Sequence, residues 1–193
     1  MKTIVLFIFA AIIAAGARAQ QYDILPVYSK NQTKKINEKV RFKIQPEEDS
    51  PEPLVRLSNT LDPEIEIKSE TNLIRNELIV KGNDGLLKSF YEAFTVEQIS
   101  YLAENDEWIA FGFFWDTEGN IIKIRFSLAG RLLSIEPEVY ARLDESFRRN
   151  VKIDPYQEKR INGYGSTLVN FQKVKNGELL LMPREYSESY PVE

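Results

Sequence analysis

From Trp108 to Trp115 apolar side chains fill both parities of the chain. Ile109, Phe111, Phe113 and Trp115 share one face, and Trp108, Ala110, Gly112 and Phe114 the other. A segment apolar on both faces is expected at the centre of a sheet, covered from both sides. The next segment differs: Ile122, Ile124, Phe126 and Leu128 alternate with Lys123, Arg125 and Ser127, the pattern of a half-buried strand. Between the two, Asp116-Thr117-Glu118-Gly119-Asn120 has the composition of a tight hairpin turn, with Gly119 expected at positive φ.

Helical spacing brackets this hairpin. Leu86, Leu87, Phe90, Tyr91 and Phe94 recur at intervals of three and four. Thr95-Val96-Glu97-Gln98 then reads as a capping box, in which the Thr95 hydroxyl accepts from the third helical N–H and Gln98 reaches back. Ile99 and Leu102 continue the stripe, which is expected to end near Asn105-Asp106. Downstream, Pro137 predicts the first turn of a helix, where its missing N–H costs nothing. Val139, Tyr140, Leu143, Phe147 and Val151 form the buried stripe of that helix. Glu136 and Glu138 lie at its positive end and Arg148 and Arg149 at its negative end. Leu168 to Val174 and Glu178 to Met182 flank Lys175-Asn176-Gly177, and Asn-Gly predicts a second hairpin. Leu73-Ile74 and Leu78-Ile79-Val80, ahead of the turn at Asn83-Asp84-Gly85, predict a strand or short hairpin. The fold class that follows is α+β: a mainly antiparallel sheet packed against two helices, near residues 86–104 and 137–150.

The remaining chain divides in three. Residues 1–19 carry Lys2, an apolar run from Ile4 to Ala15, and Ala17-Arg18-Ala19 before Gln20, the layout of a cleavable signal peptide. The apolar run is shorter than the roughly 20 residues of a spanning helix. Residues 20–63 are polar and interrupted by Pro46, Pro51, Pro53 and Pro63, and are expected to form an N-terminal arm, with Val40 to Ile44 as an edge strand. Residues 64–193 are expected to form a single α+β domain ending in a short polar tail from Pro183.

Charge and composition narrow the partners. The chain has 25 basic and 29 acidic residues; loss of residues 1–19 removes Lys2 and Arg18 and moves the net charge from −4 to −6. That balance argues against nucleic acid, whose binding requires Lys and Arg to displace counterions. No long apolar run follows the signal, so no integral span is expected after cleavage. There is no Cys and no His. A lipid anchor on cysteine, a Cys nucleophile, a Ser-His-Asp triad and the usual zinc sites are thereby excluded. An exported, periplasmic or extracellular location follows, with no cofactor and no metal expected.

The order apolar strand, acidic-Gly turn, strand, helix, strand runs from Ile109 to Val174. In Phe113-Phe114-Trp115-Asp116-Thr117-Glu118-Gly119-Asn120, Ile121 to Phe126, Pro137 to Asn150 and Thr167 to Val174, it resembles the C-terminal domain of TonB-type energy transducers and related periplasmic proteins. With the Ala-Arg-Ala-Gln signal, the hairpin also looks like that of small uncharacterised exported proteins of Bacteroides-type bacteria. The TonB-like resemblance implies a binding mode in which a sheet edge adds a partner's strand.

Candidate chemistry is sparse. Asp116 with Glu118, near Trp108 and Trp115, could serve a glycan-acting enzyme or a small-ligand site; solvated turn acids and core tryptophans explain the same residues. The oxygen-rich turn lacks the spaced acids and terminal Glu of a calcium loop. In the loop from Tyr156 to Ser166, Lys159 and Arg160 lie beside Tyr156 and Tyr164, and Tyr and Arg are frequent interface anchors. The sequence therefore favours a non-enzymatic binding module that contacts another envelope protein, with Tyr156, Lys159, Arg160 and Tyr164 as its contact residues. The alternatives are the glycan-acting enzyme or small-ligand binder at 116–120, and a structural subunit of an envelope assembly.

Overall fold

The computed structural model describes residues 22–64, 69–70, 85–153 and 163–178. The predicted signal peptide, the predicted strands between Leu73 and Val80, Tyr156, Lys159, Arg160 and the tail from Pro183 lie outside them.

The fold is α+β. Its sheet contains β1 (Gln32–Lys35), β2 (Arg41–Pro46), β3 (Leu54–Asn59), β4 (Ser69–Glu70), β5 (Trp108–Trp115), β6 (Ile121–Ala129) and β7 (Gly163–Asn170), in the order β1-β2-β3-β6-β5-β7-β4. All neighbours are antiparallel except β4, which runs parallel to β7 and places Ser69 beside Gly163 and Glu70 beside Tyr164. β5 pairs along its whole length with β7 and along most of it with β6, the central position its double apolar pattern predicts.

Residues 32–59, which the proline spacing assigns to an arm, supply three strands of the same sheet. Pro46 is the last residue of β2, Pro51 and Pro53 lie in the β2–β3 connection, and Pro63 follows β3. The prolines therefore sit where no ladder hydrogen bond is lost. Val55 and Leu57 pack into the core with Phe42 and Ile44, so burial of one face fixes the register of this polar stretch.

Helices cover that inner face. The region 86–104 contains two, α1 (Gly85–Ala93) and α2 (Val96–Glu104), separated by Phe94 and Thr95. Thr95 is extended and makes the predicted capping box: its hydroxyl accepts from Gln98 N–H at 3.2 Å, and Gln98 Oε1 accepts from its N–H at 2.9 Å. α3 (Pro137–Asn150) has the predicted bounds. Its Phe147 ring packs against Phe111 at 4.9 Å, Phe113 at 5.1 Å and Phe90 at 5.8 Å between centroids. This aromatic layer joins α1 and α3 to β5. Burying each such ring contributes about 1.5–3 kcal/mol.

The basic end of α3 is tied to the sheet through Arg148. Its guanidinium donates to Asp144 at 2.7 Å, to both Asp62 oxygens at 2.8 and 2.9 Å, and to the Ile122 carbonyl at 2.8 Å. Asp62 and Asp144 side chains are 5% and 1% exposed, so one cation serves two buried carboxylates.

The predicted second hairpin is instead a helix end. Phe171–Lys175 forms α4, started by the Asn170 side chain, which accepts from Gln172 N–H at 2.7 Å. Asn176 caps it and Gly177 follows at φ 70°. Glu178 N–H donates to the Lys173 carbonyl at 2.8 Å and Gly177 N–H to the Val174 carbonyl at 3.1 Å. That paired closure requires a left-handed residue after the cap, which glycine supplies. Asn-Gly meets the same backbone requirement in a hairpin turn, so the dipeptide alone does not separate the two.

Candidate binding face

Most inner positions of the strands are apolar, and all but one of the strand cations lie on the outer face. None of the six antiparallel strands contains an Asp or Glu. Their basic residues are Lys34, Lys35, Arg41, Lys43, Arg56, Lys123 and Arg125. Lys34 points to the helical side, where it meets Glu138 at 2.9 Å. The other six alternate with buried positions or pair in register with residues that do, and so share the outer face.

Register puts them in rows. Thr33, Lys43, Ser58, Arg125, Gly112 and Ser166 are successive partners across β1, β2, β3, β6, β5 and β7. Gln45, Arg56, Ser127, Ala110 and Leu168 form the adjacent row. Lys35 pairs with Glu38, and Arg56 with Glu47. Arg41, Lys43, Lys123 and Arg125 make no ion pair among the described residues, and Arg41, Lys43 and Arg125 are exposed.

Phe114 organises the centre. It is 3% exposed, although it faces away from the helices. Tyr164 packs on it at 4.5 Å between centroids, and Arg125 Cζ and Lys123 Nζ lie 4.9 and 5.8 Å from its centroid. Such cation–ring contacts are worth about 0.5–1 kcal/mol at exposed sites. They also hold flexible side chains in place before any ligand arrives. The expectation that both faces of β5 are covered is met on this side by neighbouring side chains.

Of the sequence-predicted contact residues, Tyr164 is the one among the described residues, and it lies on this face. Tyr164, expected in a loop, is the second residue of β7 and lies over Gly112, whose missing side chain makes room for the ring. Trp115 is 7% exposed and packs against Gly163 on the inner side, whereas Trp108 is 37% exposed at the start of β5. Arg125, Lys123 and Lys43 were not singled out by the sequence reading. The signal that could find them was the absence of acids from the alternating segments Val40–Ile44 and Ile122–Leu128, where every charged position is Lys or Arg.

The acidic turn has a structural account. Asp116 accepts from Glu118 N–H at 2.8 Å, Asn120 N–H at 2.9 Å and Asn120 Nδ2 at 2.9 Å. Burial acts to raise its pKa, but these hydrogen bonds and Lys152 outweigh that and hold it below the usual aspartate value. Gly119 takes φ 81° as expected.

Glu107 forms a separate ion pair with Arg131 at 3.1 Å. Burial raises the Glu107 pKa against the opposing pull of Arg131. The pair fastens the start of β5 to the turn after β6.

No family model and no curated protein matches the chain. Among solved structures it is similar to a crystal structure of a DUF5043 family protein from Bacteroides uniformis. The identity is 11% and the TM-score 0.57, with 78% of this chain and 96% of the other covered. At that identity the likeness is one of fold. No helix among the described residues is long and apolar enough to cross a membrane.

Proposed function

We propose that this protein is an exported, non-enzymatic binding module that contacts another envelope protein through the outer face of its sheet. The observation that carries this reading is the segregation of charge. A chain of net charge −4 has acid-free antiparallel strands and six cations on one sheet face. A solvated sheet face chosen for solubility mixes both signs; a face of one sign steers and orients a partner of the other. Tyr164, expected from sequence to contact a partner, lies on this face. The sheet-edge binding implied by the TonB-like resemblance has less support, because the edge strand β1 ends in Lys34-Lys35, a common protection against strand addition.

The test is cross-linking in the native cell envelope, with capture of a tagged copy. Wild-type protein is expected to bring down one dominant protein at near-equal amount, and the double variant Lys43→Glu/Arg125→Glu to lose it while keeping its melting temperature. Undiminished capture by a folded double variant contradicts the proposal.

A further inference from the structure

The surroundings of Arg125 indicate what the outer face receives. Its register neighbours are Ser58 on β3 and Gly112 on β5, and Lys43 lies beyond Ser58 on β2. With strands spaced 4.7–4.9 Å, Lys43 and Arg125 stand about 10 Å apart at the backbone. Between and beside them are the short side chains of Ser58, Ser127 and Ala110. Ser58 alone therefore stands between the two cations in their row. Contact with the Phe114 ring positions the Arg125 guanidinium in advance, which lowers the ordering cost of binding. A guanidinium presents a fork of donors that matches a carboxylate in two-point contact.

The balance of charge selects the class of ligand. Glu38 and Glu47 neutralise two of the six cations. A dense polyanion would meet these acids and the net negative charge of the chain. A segment with a few spaced carboxylates would meet mainly Lys43, Lys123 and Arg125. We infer that the face takes an extended acidic segment of the partner protein, laid across β2, β3 and β6, with Asp or Glu side chains on Lys43 and Arg125. This deepens the binding-module reading and rests on it.

Fluorescence anisotropy on the purified protein tests the inference with two labelled peptides of equal length. One alternates Glu with Ser; the other replaces every Glu by Gln. The Glu peptide is expected to bind, increasingly weakly as salt is raised, and the Gln peptide not to bind. Arg125→Ala should weaken the Glu peptide by about tenfold or more, and Lys173→Ala on α4 should leave it unchanged. Equal binding of both peptides, or full affinity in Arg125→Ala, overturns the inference. Tighter binding of a sulfated polysaccharide or single-stranded DNA overturns the choice of occupant. If the Glu peptide fails to bind while Lys43→Glu/Arg125→Glu still abolishes envelope capture, the acidic-segment inference falls and the binding-module reading stands. If capture also survives the charge reversal, both fall.

Discussion

Tyr164 lies over Gly112: a Cβ at residue 112 would come within 2.6 Å of Tyr164 Cε2. On the opposite side of the sheet Trp115 occupies the space above Gly163 in the same way. Each glycine lets an aromatic side chain from the adjacent strand lie flat on the backbone. One contact is on the outer face with a half-buried ring; the other is in the core with a buried indole. The two contacts are expected to respond differently to the same substitution.

Gly163→Ala forces a methyl group into the Trp115 indole, which has nowhere to move, and should cost about 1–3 kcal/mol. Gly112→Ala meets the outer end of Tyr164, which can swing toward solvent, and should cost less. Urea unfolding of the two variants checks the order. Because displaced Tyr164 uncovers Phe114, Gly112→Ala should also alter capture of a partner, whereas Gly163→Ala should not as long as it is folded.

Among the described residues Arg148 is the one cation paired with the two buried carboxylates, so its removal should be costly. Arg148→Met leaves Asp62 and Asp144 without their ion-pair donor. Breaking a buried pair on one side costs about 3–5 kcal/mol. Chemical denaturation should show that loss. The triple variant with Asp62→Asn and Asp144→Asn should recover part of it, since the uncompensated charges are gone.

The same cluster predicts a pH dependence. Burial, reinforced by Asp144 and opposed by Arg148, raises Asp62 from 3.8 to about 6. The folded state therefore binds this proton more tightly than the unfolded chain does. Its contribution favours the folded state fully below the unfolded value and is lost as pH rises through about 6, a change of up to about 3 kcal/mol. Between pH 6 and 4 the wild type should gain stability from this group relative to Asp62→Asn. Melting temperatures of both proteins across that range check the sign; a wild type that loses stability relative to Asp62→Asn on acidification contradicts it.

Thr95 precedes α2, and its hydroxyl caps that helix. Thr95→Ala should cost about 1 kcal/mol, readable as a shift in the unfolding midpoint, with no change in partner capture.

Where the pattern is local, the fold was legible in the sequence. Pro137 to Asn150 declares its start, buried stripe and charged ends within fourteen residues, and the structure has those bounds. The β5–β6 hairpin is equally self-contained: two apolar strands and a turn braced by its own Asp116. Strands β1 to β3 were harder to read because their stability comes from pairing with β6, far along the chain, and because prolines at their ends resemble breaks within them. α4 was misread because Asn-Gly serves a hairpin turn and a helix end alike. The candidate face was the least legible feature. Lys43 and Arg125 are 82 positions apart in the chain, and only the β2–β3–β6 register brings them into one row.

Lysine footprinting in the native envelope tests the central claim most directly. An amine-reactive reagent is applied to intact cells and to purified protein, and modification is compared residue by residue. If the outer face holds a partner, Lys43 and Lys123 should be protected in the envelope and Lys88 and Lys173, on the helices, should react equally in both. Unprotected Lys43 and Lys123, or protection confined to the helical lysines, would contradict the account.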